Sequence, residues 1–165
     1  MNEDNYVEWL VKRKDPAYAL PVKALLIIVC VMSLFLALQT VLGIIVLTLA
    51  CVASYFIFIS LSVEYEYLFA EGGLRVDRIM SKSRRRKEFD CDKDDIQLIA
   101  PADSYVLKDY ETAGMKVLNC ASGRKDASVY ALIYQKGSLH TKVLFEPNEK
   151  MLNAMYRSYP RKVVR

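Results

Sequence analysis

The sequence predicts an α+β protein: a two-helix transmembrane hairpin followed by a mainly antiparallel β domain that ends in a helix. Three observations predict it. From Ala24 through Val63 there is no Asp, Glu, Lys, Arg or His. After Val63 apolar and polar residues alternate, which is the period of half-buried strands. Apolar residues between Met151 and Tyr159 then return to helical spacing. The hydrophobic fraction of 53% exceeds the roughly 45–50% of an ordinary soluble domain, and the excess is concentrated in the uncharged stretch.

A helix rises about 1.5 Å per residue and a bilayer core is about 30 Å thick, so about 20 residues cross it once. The uncharged stretch is long enough for two spans and too long for one. Its break is expected around Gln39, Thr40 and Gly43, where an amide, a hydroxyl and a flexible backbone coincide. This gives spans of Ala24 to Leu38 and Leu42 to Leu61, with Lys23 snorkelling to the headgroups. No charge marks a wet face on either half, which argues against a soluble buried hairpin. A cleavable signal peptide carries an apolar core of about 7–15 residues; here a far longer core follows a long polar leader, so no cleavage is expected. Lys12, Arg13, Lys14 and Lys23 precede the first span and the turn carries no cation, so the positive-inside rule places the N-terminus in the cytoplasm. Two spans return the rest of the chain to that side. The expected location is the cell membrane, multi-pass, with both termini cytoplasmic.

The expected divisions are a cytoplasmic segment over residues 1–23, the hairpin over 24–62 and the β domain over 63–165. In the first, Tyr6, Val7, Leu10 and Val11 fall at helical spacing and predict a short amphipathic helix that Pro16 ends. It lies either in the headgroup layer, apolar face down, or against the protein's own domain.

In the β domain, Val63, Tyr65, Tyr67 and Phe69 face one way and Glu64 and Glu66 the other; Glu71-Gly72-Gly73 turns the chain, and Leu74 and Val76 resume the apolar face. Ser81 to Lys87 reads as a turn. Strands follow through Phe89 and Cys91, through Ile96, Leu98 and Ile99, and at Met115 to Asn119, Val129 to Tyr134 and Leu139 to Phe145, with Gly123 and Gly137-Ser138 between them, about seven strands in all. Pro147 suits a first helical position and Glu149 a helix N-terminus. Met151, Leu152, Met155, Tyr156 and Tyr159 form one apolar stripe on the closing helix, Pro160 stops it, and a basic tail runs from Arg161 to Arg165.

Two spans, then Val63-Glu64-Tyr65-Glu66-Tyr67, the Glu71-Gly72-Gly73-Leu74 turn, the Asp94-Asp95-Ile96 step, and a last strand running through Phe145-Glu146-Pro147 into a helix: this order resembles the bacterial pleckstrin-homology-like (YcxB-like) membrane proteins. The resemblance covers nearly the whole chain and implies a pleckstrin-homology-like fold for the cytoplasmic domain. It implies no particular activity, since many members have none assigned. Lipid-reading relatives of the fold usually draw their basic residues from the first hairpin turn. Here that turn is the acidic-glycine Glu71-Gly72-Gly73, so no headgroup specificity is carried over.

The basic run Lys82, Arg84, Arg85, Arg86 and Lys87 is the strongest surface feature and the candidate lipid-binding site. Beside anionic lipid each such cation contributes about 1 kcal/mol, within a screening length of about 8–10 Å. A net charge of +4 is small for a nucleic-acid protein, and no aromatic interrupts the run, so no nucleic acid is expected. His140, the single histidine, is expected on the outer face of a strand. Asp90, Asp92, Asp94 and Asp95 lack the glycine and terminal glutamate of a calcium loop, which leaves a solvated turn and no metal site. Cys30 and Cys51 read as small apolar residues of the spans, and Cys91 and Cys120 lack CxxC spacing, which fits a reducing compartment. With no phosphate-binding glycine loop and no nucleophile beside a base, no catalytic residue, cofactor or small-molecule substrate is expected.

The function this predicts is a non-enzymatic interaction module on the cytoplasmic face, whose partners are the lipid bilayer and a protein or a second copy of itself. An open strand edge or the Tyr105 to Tyr110 loop would serve the protein partner. The alternative is a small accessory or regulatory subunit of an integral membrane complex, for which Ser33, Ala37, Gly43, Ala50, Ala53 and Ser54 offer close helix approach.

Overall fold

The computed structural model describes residues 6–80, 84–112 and 114–164. The chain divides into two compact units, one of residues 15–63 and one that joins the residues up to Lys14 to those from Glu64 onward.

The first unit is a pair of helices, α1 (Ala19–Gln39) and α2 (Val41–Leu61). At 21 residues each they are about 31 Å long, and both are long and apolar enough to cross a membrane. The break falls at Thr40, inside the predicted cluster. Thr40 is extended (φ −145°, ψ 146°), and its hydroxyl accepts a hydrogen bond from Gly43 N at 3.1 Å. α1 starts at Ala19 instead of Ala24: Pro21 is tolerated in a first turn, and Lys23 is neutralised by Asp15 at 2.9 Å. Ser33, Gly43 and Ser54 are buried in the hairpin, where the Cys30 thiol meets the Ser54 hydroxyl at 3.5 Å. Most of the large apolar side chains on both helices are exposed. Such a surface needs hydrocarbon around it, so the protein is membrane-associated.

The second unit holds two four-stranded sheets. One has the order β1-β2-β3-β4, from β1 (Tyr6–Lys12), β2 (Val63–Ala70), β3 (Gly73–Met80) and β4 (Arg84–Cys91). The other has the order β5-β7-β8-β6, from β5 (Ile96–Pro101), β6 (Lys116–Asn119), β7 (Tyr130–Lys136) and β8 (Leu139–Phe145). Pairing is antiparallel except between β6 and β8, which run parallel. Glu71 (φ 52°) and Gly72 (φ 83°) both take the left-handed conformation that a tight two-residue hairpin requires. A Cβ on Gly72 would also stand 2.9 Å from the Tyr159 hydroxyl.

The short amphipathic helix expected at Tyr6 to Val11 is a strand. β1 pairs antiparallel with β2 from Tyr6↔Ala70 to Lys12↔Glu64. Val7, Trp9 and Val11 alternate as well, and pairing decides: Val11 is buried on the inner face while Tyr6, Glu8 and Leu10 share the outer one. The N-terminal segment therefore belongs to the β domain, which the two helices interrupt.

The sheets pack through edge-on aromatic pairs, Tyr67 on Phe145 with ring centres 5.9 Å apart and Phe89 on Tyr134 at 5.3 Å. The buried Tyr67 hydroxyl donates to Cys120 O at 2.6 Å. Tyr67→Phe leaves that carbonyl without its donor and is expected to cost about 1–2 kcal/mol in denaturant melts.

The closing helix is α3 (Glu149–Ser158), capped by the Asn148 side chain, which accepts from Met151 N at 2.8 Å. Asn148 thus displaces Pro147 from the expected first position, because an amide oxygen can satisfy a free N–H and a proline cannot. Met151, Ala154 and Met155 are buried, but Leu152 is only half-buried and Tyr156 is exposed. The tail is not loose where it is described: Val163 bridges Ile99, and Lys162 Nζ donates to Ile96 O at 2.6 Å, which covers the edge of β5.

Candidate functional site

The antiparallel order places the end of β1, the start of β2, the end of β3 and the start of β4 at one end of the first sheet, as the pairs Lys12↔Glu64 and Met80↔Arg84 record. This is also the end at which the chain leaves for α1 and returns from α2. A hydrogen bond from Lys14 N to Ser122 O at 2.8 Å brings the Gly123-Arg124-Lys125 turn there as well. Lys12, Arg13, Lys14, Arg78, Arg84, Arg86, Arg124 and Lys125 thus collect at one rim, against Glu64, Glu88 and Asp126.

The basic run is strand, not turn. Arg84 to Lys87 form the start of β4, an edge strand; Lys82 lies outside the described residues. Alternation divides the four. Arg85 and Lys87 point to the outer face, where Arg85 Nη2 sits 2.8 Å from Glu66 and Lys87 Nζ 2.9 Å from Asp90. Arg84 and Arg86 point the other way, are exposed, and make no ion pair among the described residues. Arg86 stands directly opposite Arg78 on β3, and the buried Nε of Arg78 has no hydrogen-bond partner among the described residues. Burial pushes the Tyr65 phenol up, and the charges of Arg13, just past β1, and of Arg78 on β3 counter it.

A family model described as a bacterial PH-like domain (DUF6106) matches residues 3–165. The chain belongs to that family. The match takes in β1 and both helices as well as the sheets of the PH-like domain. No curated protein and no solved structure matches the chain.

In this PH-like domain β1 is the first strand, so the first strand-to-strand connection is the helical hairpin and Glu71-Gly72-Gly73 is the second. The remaining candidates are dispersed. His140 is half-buried on β8 opposite Gln135. Asp90 serves Lys87 and Arg75, while Asp95 pairs with Lys136 at 3.4 Å; among the described residues no three His, Cys, Asp or Glu side chains could hold a metal ion. Cys91 and Cys120 are buried, and desolvation pushes both thiols up to about 12, far from a reactive thiolate. Tyr105 is exposed on a single 3-10 turn whose Leu107 is buried.

Sequence reasoning missed Arg13, Lys14, Arg78, Arg124 and Lys125 as members of the site. Arg13 and Lys14 read only as flanking charges of the first span, Arg78 is a lone cation and Arg124-Lys125 a pair, and only the sheet brings them together.

Proposed function

We propose that the protein is a two-pass, membrane-anchored and non-enzymatic interaction module, both termini cytoplasmic, whose basic rim holds the PH-like domain against an anionic leaflet. The observation that carries this reading is the insertion of the helices between two paired strands. β1 and β2 can hydrogen-bond only if both lie on one side of the bilayer, so the two helices cross as a pair. The single residue Ser62 joins α2 to β2, and one residue spans at most about 3.6 Å. In this reading the rim meets the headgroups, where each cation within a screening length contributes about 1 kcal/mol. Arg84 and Arg86, without ion pairs among the described residues, contribute two of the eight cations to that attraction.

The test uses the full-length chain in nanodiscs of phosphatidylcholine with or without phosphatidylserine. Hydrogen exchange at Arg84 to Lys87 and at Gly123 to Lys125 is expected to slow in the anionic discs, to recover at high salt, and to show a smaller difference in the R84Q/R86Q variant. Equal exchange in both discs would sink the proposal.

The accessory-subunit reading has its own support in an open apolar groove of about 310 Å³ along the hairpin, lined by Leu26, Cys30, Leu34, Leu47 and Phe58 among others. It would accept side chains of a neighbouring helix. Ser33, Gly43 and Ser54 are consumed inside the hairpin, so Ala53, which is exposed, is the position to enlarge. Loss of a co-purifying membrane complex in A53L, with the hairpin intact, would favour this reading.

A further inference from the structure

Glu66 is anomalous for the outer face of a sheet: it is only 4% exposed. Its carboxylate holds the Arg85 guanidinium, with Nη2 at 2.8 Å from both oxygens. Arg85 belongs to β4 and Glu66 to β2, so the arginine is drawn across β3, a reach of about two strand spacings or 10 Å. Glu8 on β1 lies diagonal to Glu66 on the same face, since Leu10 is the register partner of Glu66. Two carboxylates placed so on one face repel each other, which favours a proton on the more buried one, Glu66. Tyr6 donates to Glu8 at 3.2 Å from the far side.

We propose that the Glu8 and Glu66 carboxyl pair is a proton switch on the basic rim: ionised, Glu66 holds Arg85 over the sheet; protonated, it releases Arg85 to the membrane-facing end. This rests on the reading of the rim as a contact for anionic lipid. Acidification then adds a mobile cation to Arg84 and Arg86 and removes a buried carboxylate, and both changes strengthen the hold.

The other groups facing the pair leave Glu66 as the pivot. On β3, Asp77 stands 4.0 Å from Arg85 and also 4.0 Å from Arg75, which shares Asp90 with Lys87 of β4. On α3, Lys150 and Arg157 line a groove with Tyr6 and Glu8. Burial first, and then the Glu8 hydrogen bond, raise the Glu66 carboxyl above its ordinary range, while Arg85 lowers it. A raised value means that folding favours the protonated form. Its stabilising contribution is full below the ordinary carboxylate pKa and is lost as pH rises through the raised one, so release of Arg85 begins at a milder acidity than for a free glutamate.

The experiment places the full-length chain in nanodiscs containing phosphatidylglycerol, whose phosphate stays ionised throughout, and compares hydrogen-exchange protection at Arg84 to Lys87 between neutral pH and the upper carboxylate range. Wild type is expected to gain about fivefold in lipid-dependent protection on acidification, the effect of one added cation at an anionic surface. E66Q is expected to show the acid level of protection at both pH values, R85Q the neutral level at both, and H140Q the wild-type response. A wild-type gain that persists in E66Q or R85Q overturns the switch and leaves the lipid contact standing. Protection that is indifferent to phosphatidylglycerol at both pH values overturns both.

Discussion

Replacing Gly43 by alanine is expected to prevent the two membrane helices from closing on each other. A Cβ at this position would lie 2.3 Å from the carbonyl carbon and oxygen of Leu36 and 2.5 Å from Ala37 N. These are backbone atoms of α1, so no side-chain rotation relieves the overlap. The corner at Thr40 is too short to absorb it, because a single non-helical residue separates α1 from α2. Moving the helices apart would also open the buried contacts at Ser33 and Ser54. The cost is expected at or above the upper end of ordinary overpacking, about 3 kcal/mol. The Cys30 thiol meets Ser54 across the hairpin, and Cys51 lies one turn before Ser54 on the same side of α2, so oxidant-catalysed cross-linking of Cys30 to Cys51 in membranes reads its closure. Wild type is expected to cross-link efficiently and G43A at least tenfold less; equal yields would show that the corner adapts.

A fragment that begins at Glu64 is expected not to fold, although it contains seven of the eight strands. Without β1 it loses a ladder of seven residues along the whole of β2, the burial of Val11, and the cover over Glu66. At about 0.5–1.5 kcal/mol for each hydrogen bond and about 1.5–3 kcal/mol for a buried valine, the loss approaches the entire stability of a small domain, about 5–15 kcal/mol. A chain in which residues 6–14 are joined to Glu64 by a short glycine-serine linker restores these contacts without either helix. It is expected to be soluble and to melt cooperatively by circular dichroism, whereas the fragment from Glu64 shows no transition. A sharp melt of the shorter fragment would show β1 to be dispensable.

How much of this was legible in the sequence follows from the range of each interaction. The helices and their break at Thr40 could be read because hydropathy and helix length are local properties, as were β2, the Glu71-Gly72 turn and the apolar side of α3. β1 reads as a helix because Tyr6, Val7, Leu10 and Val11 fall at helical spacing, although Val7, Trp9 and Val11 also alternate, and the strand that decides between the two lies beyond both helices. Arg84 to Lys87 looked like a turn because an edge strand with cations on successive residues shows no alternation. Charged edges of that kind deter pairing with other chains. The candidate site was visible only as this run, whereas its other cations come from three separate segments, and the sequestration of Arg85 by Glu66 depends on a contact that skips a strand.

The interruption of the sheet by the helices has a consequence for assembly. A flexible connection of this length would impose a closure cost that grows with the logarithm of its length. A packed helix pair instead delivers its two feet about 8–10 Å apart, near the roughly 5 Å spacing of neighbouring strands. In the proposed two-pass topology, insertion would bring β1 and β2 together before either has found the rest of the sheet, and the bilayer would serve as a template for the folding of a domain that it does not enclose.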